Sequence, residues 1–425
     1  MPSHEIHEGD ALDILCTLPS DHYHGCLTDP PYGLSFMGHQ WDHGVPSAEV
    51  WREVLRVLRP GAHLLAFGGT RTFHRLTCAI EDAGFEIRDC MMWLYGSGFP
   101  KSHDVSKAID REAGAVRDVV GKSARHVSGK PGQRTAGLAG SSTFAESIGM
   151  GSTITAPATE AARQWAGHGT ALKPAWEPII VARKPLEGTV AQNVQRWGCG
   201  GLAIDASRVG SGGHLGYSGG SDSDGVATTN ALGRWPANVI LDEEAGLVLD
   251  AQTGTLHTHS GNVTKDMATV GFQGGGSGSE RKITSNSGGA SRFFYCAKVS
   301  SKERNAGLEH LPARQTTFAS GTGLSANGDG TARNQDATAR NHHPTLKPID
   351  LTRYLARLIL PPTEAPRLLV PFSGTGSEMI GAMLAGWSDV TGIEGEAEYI
   401  EIAHARIAHW IATRHAQQQL DLAGE

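Results

Sequence analysis

Two short stretches of the 425-residue sequence carry side chains suited to chemistry. The first is Asp29-Pro30-Pro31-Tyr32. Its prolines fix the local φ angles and remove two amide donors. The Pro30 carbonyl and the Asp29 carboxylate remain as acceptors close to one point, and Tyr32 offers a flat ring beside them. That set suits an amino group on an aromatic ring, whose delocalised lone pair is a weak nucleophile. Two acceptors taking its hydrogens draw the nitrogen toward a tetrahedral geometry and favour the positive charge that develops as it attacks. Pro31 completes the motif by holding the turn. An ordinary proline-rich turn after a strand is the plainer reading of four residues, so the partners of the motif decide.

The second stretch is Phe372-Ser373-Gly374-Thr375-Gly376, between an apolar run and a helical one. Gly374 and Gly376 permit a tight turn and close approach of backbone to a ligand, and the helix start that follows presents unpaired amides. Eighteen residues after Gly376 comes Glu394, at the end of the next apolar run. A carboxylate there can accept from both hydroxyls of a ribose, as in dinucleotide folds. A generic βα turn also carries F-x-G-x-G, but with Glu394 the turn points to a nucleoside cofactor. No G-x-x-x-x-G-K-[ST] occurs, which disfavours a nucleoside triphosphate.

The elements that must position these stretches alternate. Strands are expected at 4–8, 24–28, 63–67 and 85–93, and helices at 11–18, 50–58 and 72–83, on apolar spacing and on the Gly and Pro stops. A further strand is expected at 175–184. Toward the end the pattern returns: helix 349–360, strand 367–371, helix 378–385, strand 390–393, helix 397–412. The fold class is therefore α/β with a mostly parallel sheet. Between its two parts the chain is rich in Gly, Ser, Thr and Asn, with apolar islands at 235–241 and 292–299. Segments 271–278 and 319–340 read as loops without a core of their own.

Net charge is −7, but its distribution is uneven. Residues 101–210 hold 14 Lys and Arg against 9 Asp and Glu, and residues 281–348 hold 10 against 4, leaving −18 on the remainder. Two basic stretches beside an acidic remainder fit one nucleic-acid face. No apolar run approaches the roughly 18–20 residues of a membrane span, and the opening residues lack a basic stretch followed by an apolar one. A cytoplasmic location and no membrane partner are expected. The six cysteines form no C-x-x-C pair, and His257-x-His259 and His342-His343 lack a third ligand at sensible spacing, so no metal is expected.

These motifs resemble the permuted β-group DNA amino-methyltransferases, the N6-adenine and N4-cytosine enzymes of phages and restriction–modification systems. The resemblance rests on GDALDIL at 9–15, TDPPYG at 28–33, HPTLKP at 343–348, FSGTGS at 372–377 and GIEGEAEYIEIA at 392–403, with LYGSGFPKS at 94–102 and RFFYCAK at 292–298 similar to phage and prophage methylases. It implies a circularly permuted, Rossmann-like methyltransferase fold: a seven-stranded, mostly parallel sheet with one antiparallel strand, plus long irregular insertions. The implied domains are 1–101, the catalytic half; 102–169, a hairpin insertion; 170–187, a core strand; 188–341, target recognition; and 342–425, the cofactor half. Where the family often has Asp-Pro-Phe before the Gly turn, this chain has Val370-Pro371-Phe372.

The resemblance further implies S-adenosylmethionine as cofactor. Asp10 would lie near its adenine, Phe372, Ser373, Gly374 and Gly376 along its methionine and adenosine, Glu394 on its ribose, and Thr345, Lys347 and Pro348 over it. Asp29, Pro30, Pro31 and Tyr32 would engage the target base, flipped out of DNA because a stacked base cannot reach Asp29. Arg281, Lys282, Arg292 and Lys298 are candidates for phosphate contacts. Trp235 and Phe293-Phe294-Tyr295 are candidates for stacking on bases, with packing in a small core the plainer reading. Asp at the first motif position favours adenine N6 over cytosine N4. An RNA or protein-amide methyltransferase of the same fold stays open, as does a homodimer.

Overall fold

The computed structural model describes residues 2–34, 42–96, 98, 102–122, 153–210, 233–258, 261–263, 281–283, 286–298, 301–315, 338–343 and 345–423. The expected loop at 271–278 and residues 319–337 of the one expected at 319–340 lie outside these, while Thr338–Ala339 of the latter pairs as a short strand with Arg314–Gln315. The elements used below are, in chain order, β1 (Ser3–Glu8), α1 (Ala11–Thr17), β2 (Tyr23–Thr28), α2 (Ala48–Val57), β3 (Leu58–Phe67), α3 (Phe73–Asp82) and β4 (Glu86–Leu94). Then come α4 (Val105–Glu112), α5 (Glu160–Gln164), β5 (Trp176–Arg183), α6 (Val190–Trp197), β6 (Val239–Asp242), α7 (Glu243–Thr253) and β7 (Tyr295–Ala297). The last are α8 (Ile349–Leu358), β8 (Arg367–Pro371), α9 (Ser377–Ala385), β9 (Asp389–Glu394) and α10 (Ala397–Ala423).

Contacts divide the chain into two units, Met1–Gly96 with Trp176–Glu425, and Ser97–Ala175. In the first, nine strands form one sheet in the order β1-β9-β8-β2-β3-β5-β4-β6-β7. All neighbours are parallel except β5, which runs antiparallel to both β3 and β4. A mostly parallel sheet was expected, but with seven strands; nine are described. At its far end β6 pairs in parallel with β4 and β7 with β6. These two strands come from the polar middle of the sequence, so part of the stretch expected to serve target recognition extends the sheet.

Alternation along the central strands divides the core into two layers, since successive side chains point to opposite faces. Cys26, Leu64, Ala66 and Ile180 pack with Trp51 and Val54 of α2 and Leu76 and Ile80 of α3. Leu27, Leu65, Phe67 and Ile179 pack with Leu351 and Leu355 of α8, Met379 and Ile380 of α9, and Ile407 of α10. Strands buried on both faces read as continuous apolar runs, as 64–67 does.

This layering fixes where a ligand can bind. β8 leads through α9 to β9 on one side, while β2 leads through α2 to β3 on the other, with the two helices on opposite faces. Such a reversal leaves a crevice outside the carboxyl ends of the two strands. β2 and β8 are hydrogen-bonded neighbours, Leu368 opposite Gly25 and Leu369 opposite Cys26. At their ends the Thr28 hydroxyl donates to the Pro371 carbonyl. Asp29 and Phe372 are the next residues of each strand.

In the second unit, α4 and α5 accompany an antiparallel pair, Val119–Lys122 with Thr153–Thr155. The buried Asp110 organises it, accepting from Arg117 at 2.6 Å, the Ala158 and Thr159 amides at 2.9 and 3.0 Å, and the Thr159 hydroxyl at 2.7 Å. Burial pushes this carboxyl up, but the amides, the hydroxyl and the guanidinium outweigh it and hold it at about 2.

Candidate active site

The crevice holds a cavity of about 610 Å³, within the range of small-molecule and cofactor sites. One end is built from backbone. After β8, Phe372 takes φ +61°, unusual for a side-chain-bearing residue, and Gly374 and Gly376 take φ +52° and +81°. Left-handed residues in succession reverse the chain tightly into α9. The Ser373 amide donates to the Ile393 carbonyl at 2.8 Å, which ties the turn to β9. The Glu394 carboxylate, at the end of β9, accepts from the Gly374 amide at 2.8 Å and the Glu396 amide at 3.0 Å. Burial raises its pKa, and the amide bonds only partly offset that. Ser373 Oγ is buried without a hydrogen-bond partner, and the imidazole of His343 lies against the turn, 3.2 Å from where a Cβ on Gly374 would stand.

The other end is built from side chains. Lys347 Nζ donates to Asp29 Oδ2 at 2.7 Å and to the Tyr32 hydroxyl at 3.1 Å, and lies 3.3 Å from Glu177 Oε2. The Tyr32 hydroxyl is 2.8 Å from Asp29 Oδ1 and 3.1 Å from Glu177 Oε2. A phenol has one hydrogen, so it donates to one carboxylate at a time. Burial pulls the Lys347 ammonium down, but Asp29 and Glu177 outweigh it and its pKa rises. Burial, then Asp29 and Glu177, push the Tyr32 phenol well up. Glu378, buried in the first turn of α9, is raised to about 7 by burial and by Asp29, against the pull of Lys347. In the quartet of Asp29, Tyr32, Glu177 and Lys347, Lys347 is thus held as the cation and Tyr32 as a neutral phenol.

The cavity wall brings together Asp10, Asp29, Pro30, Pro31, Tyr32, Thr345, Lys347, Phe372, Ser373, Gly374 and Glu394. Two expected residues stand behind it. Pro348 is buried at the N-cap of α8, and Gly376 is the N-cap of α9, packed on Ala403. Asp10 also caps α1, its Oδ1 accepting from the Leu12 amide at 2.8 Å. Lys347, expected over the cofactor, lies with its ammonium on Asp29, and the Tyr32 ring is held by its hydroxyl. Glu177, Arg304, His343, Glu378 and Tyr399 line the cavity as well. Of these the sequence points only to His343, through the His342-His343 pair and the HPTLKP motif; Glu177 reads only as one residue of a strand.

The expected phosphate contacts fare differently. Arg292 donates to the Gly288 and Gly289 carbonyls and covers the Phe293 ring at 4.4 Å, so its guanidinium is spent inside the protein. Tyr295 stacks on Tyr354 at 4.0 Å. Trp235 and Lys298 are exposed. The side chains of Arg281 and Lys282 lie outside the described residues. Among the described residues no group of His, Cys, Asp and Glu could hold a metal ion, and no helix is long and apolar enough to cross a membrane.

No family model matches the sequence, and no curated protein matches it. Solved structures do align over most of its length. A Thermus thermophilus protein assigned as a DNA modification methylase aligns with 14% identity and a TM-score of 0.37, over 95% of this chain and 94% of that one. M1.HpyAVI aligns with 10% identity and a TM-score of 0.38, over 95% and 98%. The cytosine-N4-specific PvuII DNA methyltransferase aligns with 10% identity and a TM-score of 0.37, over 95% and 86%. With identities and scores this low, the chemistry of this chain has to be argued from its own residues.

Proposed function

We propose that the chain is an S-adenosylmethionine-dependent DNA methyltransferase that modifies an exocyclic ring amine, adenine N6, on a base flipped out of the duplex. The observation that carries this reading is the meeting of Asp29-Pro30-Pro31-Tyr32 and the Phe372–Gly376 turn, more than 340 residues apart, on one cavity at the reversal of the sheet. The motif order, catalytic before cofactor, accords with a circular permutation. Residues 1–101, 170–187 and 342–425 would form the core, with 188–341 contributing target recognition beside its two added strands.

The residues present fit the cofactor. Glu394 keeps lone pairs for a ribose diol beyond the two amides it accepts. Ser373 Oγ has an unmet hydrogen bond, and the excess of carboxylates on the wall suits a cation. When bound, the cofactor supplies a methyl group on a sulfonium, transferable without an outside oxidant or reductant. Asp29 and the Pro30 carbonyl accept the hydrogens of the target amine and stabilise positive charge growing on its nitrogen. With Lys347 and Tyr32 in place, Asp29 still has about two of its four lone-pair sites for the amine. Its carboxylate can take the proton that the methylated nitrogen sheds. The walls exclude water and align nitrogen with methyl.

Parallel incubations of DNA, RNA and protein with methyl-tritiated cofactor, then digestion and mass spectrometry of the labelled product, test the reading. N6-methyladenine is expected. N4-methylcytosine would move the target base, and label only in RNA or protein would overturn the reading.

A further inference from the structure

Arg304 closes a short 3-10 turn, Ser301–Arg304, in the polar middle of the sequence, yet it lines the same cavity. Its Nη1 donates to the His343 carbonyl at 2.9 Å and contacts the Asn341 carbonyl at 3.4 Å. Asn341 in turn donates to the Thr375 hydroxyl at 3.2 Å. These bonds tie Arg304, through Asn341 and His343, to the Gly-turn end of the cavity. A guanidinium has five N–H donors, and those two carbonyls engage Nη1 alone, leaving Nε and Nη2.

The charge of Arg304 lacks a counter-ion. Among the described residues no carboxylate pairs with it. Its neighbour Glu303 accepts from the Ile349 amide at 3.2 Å, and Arg406 nearby is another cation, bound to the Thr375 carbonyl and the Ser377 hydroxyl. Among the described residues seven carboxylates line the cavity against two basic side chains, and the other of the two, Lys347, is already paired with Asp29 and Glu177. A half-buried guanidinium with free donors and, among the described residues, no carboxylate paired to it is a site for a planar oxyanion.

We propose that Arg304 binds the carboxylate at the amino-acid end of S-adenosylmethionine. The inference rests on the function proposed above. It chooses a carboxylate over a DNA phosphate because the surrounding acids repel a polyanion, whereas an amino-acid end brings its own ammonium and the adjacent sulfonium to offset them. Arg304 then matches the one anionic group of the ligand, and its fork can engage both oxygens.

Calorimetric titration of the full chain with S-adenosylmethionine and with its decarboxylated analogue tests this. Wild type should bind the first at least about tenfold more tightly, a charge-assisted bond being worth that much. Arg304→Gln should lose that preference, weakening S-adenosylmethionine binding about tenfold and the analogue by less than about twofold, and Arg304→Lys should recover part of it. An equal loss for both ligands would make Arg304 merely structural and overturn the proposal. So would unchanged nucleoside binding with weakened DNA binding, which would give the guanidinium to a phosphate. If wild type binds both compounds alike, the carboxylate assignment falls alone. If it binds neither, the functional reading falls with it.

Discussion

The two ends of the cavity are made of different materials. At the Gly-turn end the frame is main chain, held by β8, α9 and β9 and oriented by amides, two of which donate to Glu394, with Ser373 and Arg304 as side-chain additions. At the Asp29 end, the Pro30 carbonyl aside, the polar groups are the tips of side chains: Asp29 and Tyr32 of one segment, Glu177 of β5 and Lys347 before α8 hold one another. A backbone site is shaped by the fold and tolerates change in charge nearby. A side-chain quartet is a closed electrostatic unit, in which removing one member leaves the others buried and unmatched. The first end is therefore suited to binding and the second to chemistry, and substitutions should separate the two.

The largest effect is expected at Asp29. Asp29→Ala should lower methyl transfer to DNA by about a thousandfold, since a preorganised group facing developing charge is worth that order, while cofactor affinity measured by calorimetry stays within about threefold. Transfer near the wild-type rate would break the division of labour. Next is Lys347→Met, which leaves two carboxylates facing each other in a largely buried site and should cost about 3–4 kcal/mol in urea denaturation. The double variant Lys347→Met with Glu177→Gln should regain a good part of that loss. If the single variant is as stable as wild type, the quartet is not the unit described.

Falling pH should first protonate Glu378 in the cavity wall, raised to about 7, and only lower down two buried histidines of the central strands. His24 near the start of β2 and His63 midway along β3 are each lowered to about 4 by burial and then by nearby arginines. His24 Nδ1 accepts from the Arg367 amide at 3.1 Å, a bond that protonation removes. Because the folded pKa lies below the free value of 6.5, the unfolded chain takes up protons that the folded chain refuses. Stability should be independent of these groups above pH 6.5, fall as pH drops toward about 4, and level off below. The loss is roughly 2–3 kcal/mol per histidine, and His63→Gln should shrink the slope of denaturation free energy over that window. An unchanged slope would exclude His63 as its source. The smallest effect is expected from Gly374→Ala. A left-handed alanine costs about 1 kcal/mol, and its Cβ would stand 3.2 Å from the His343 ring. Cofactor affinity should fall about fivefold at nearly constant turnover. A turnover defect larger than the binding defect would blur the contrast between the ends.

The sequence by itself determined the local elements and the two motifs. The strand at 367–371 is where the apolar run predicted it, and the helix expected at 72–83 spans Phe73–Asp82, because a buried strand and an amphipathic helix write their periods into consecutive residues. Where the apolar islands are short the reading stopped: Val239–Asp242 and Tyr295–Ala297 hold too few residues to show a period, and only their pairing with β4 and with each other makes them strands of the main sheet. The final helix runs to Ala423 rather than 412, since no Gly or Pro marks an end there. Tertiary structure alone decided that Lys347 lies on Asp29, that Glu177 joins them, and that Arg304 reaches the Gly turn. Those contacts join side chains tens to hundreds of residues apart, and they depend on strand order and register, which local periodicity does not record.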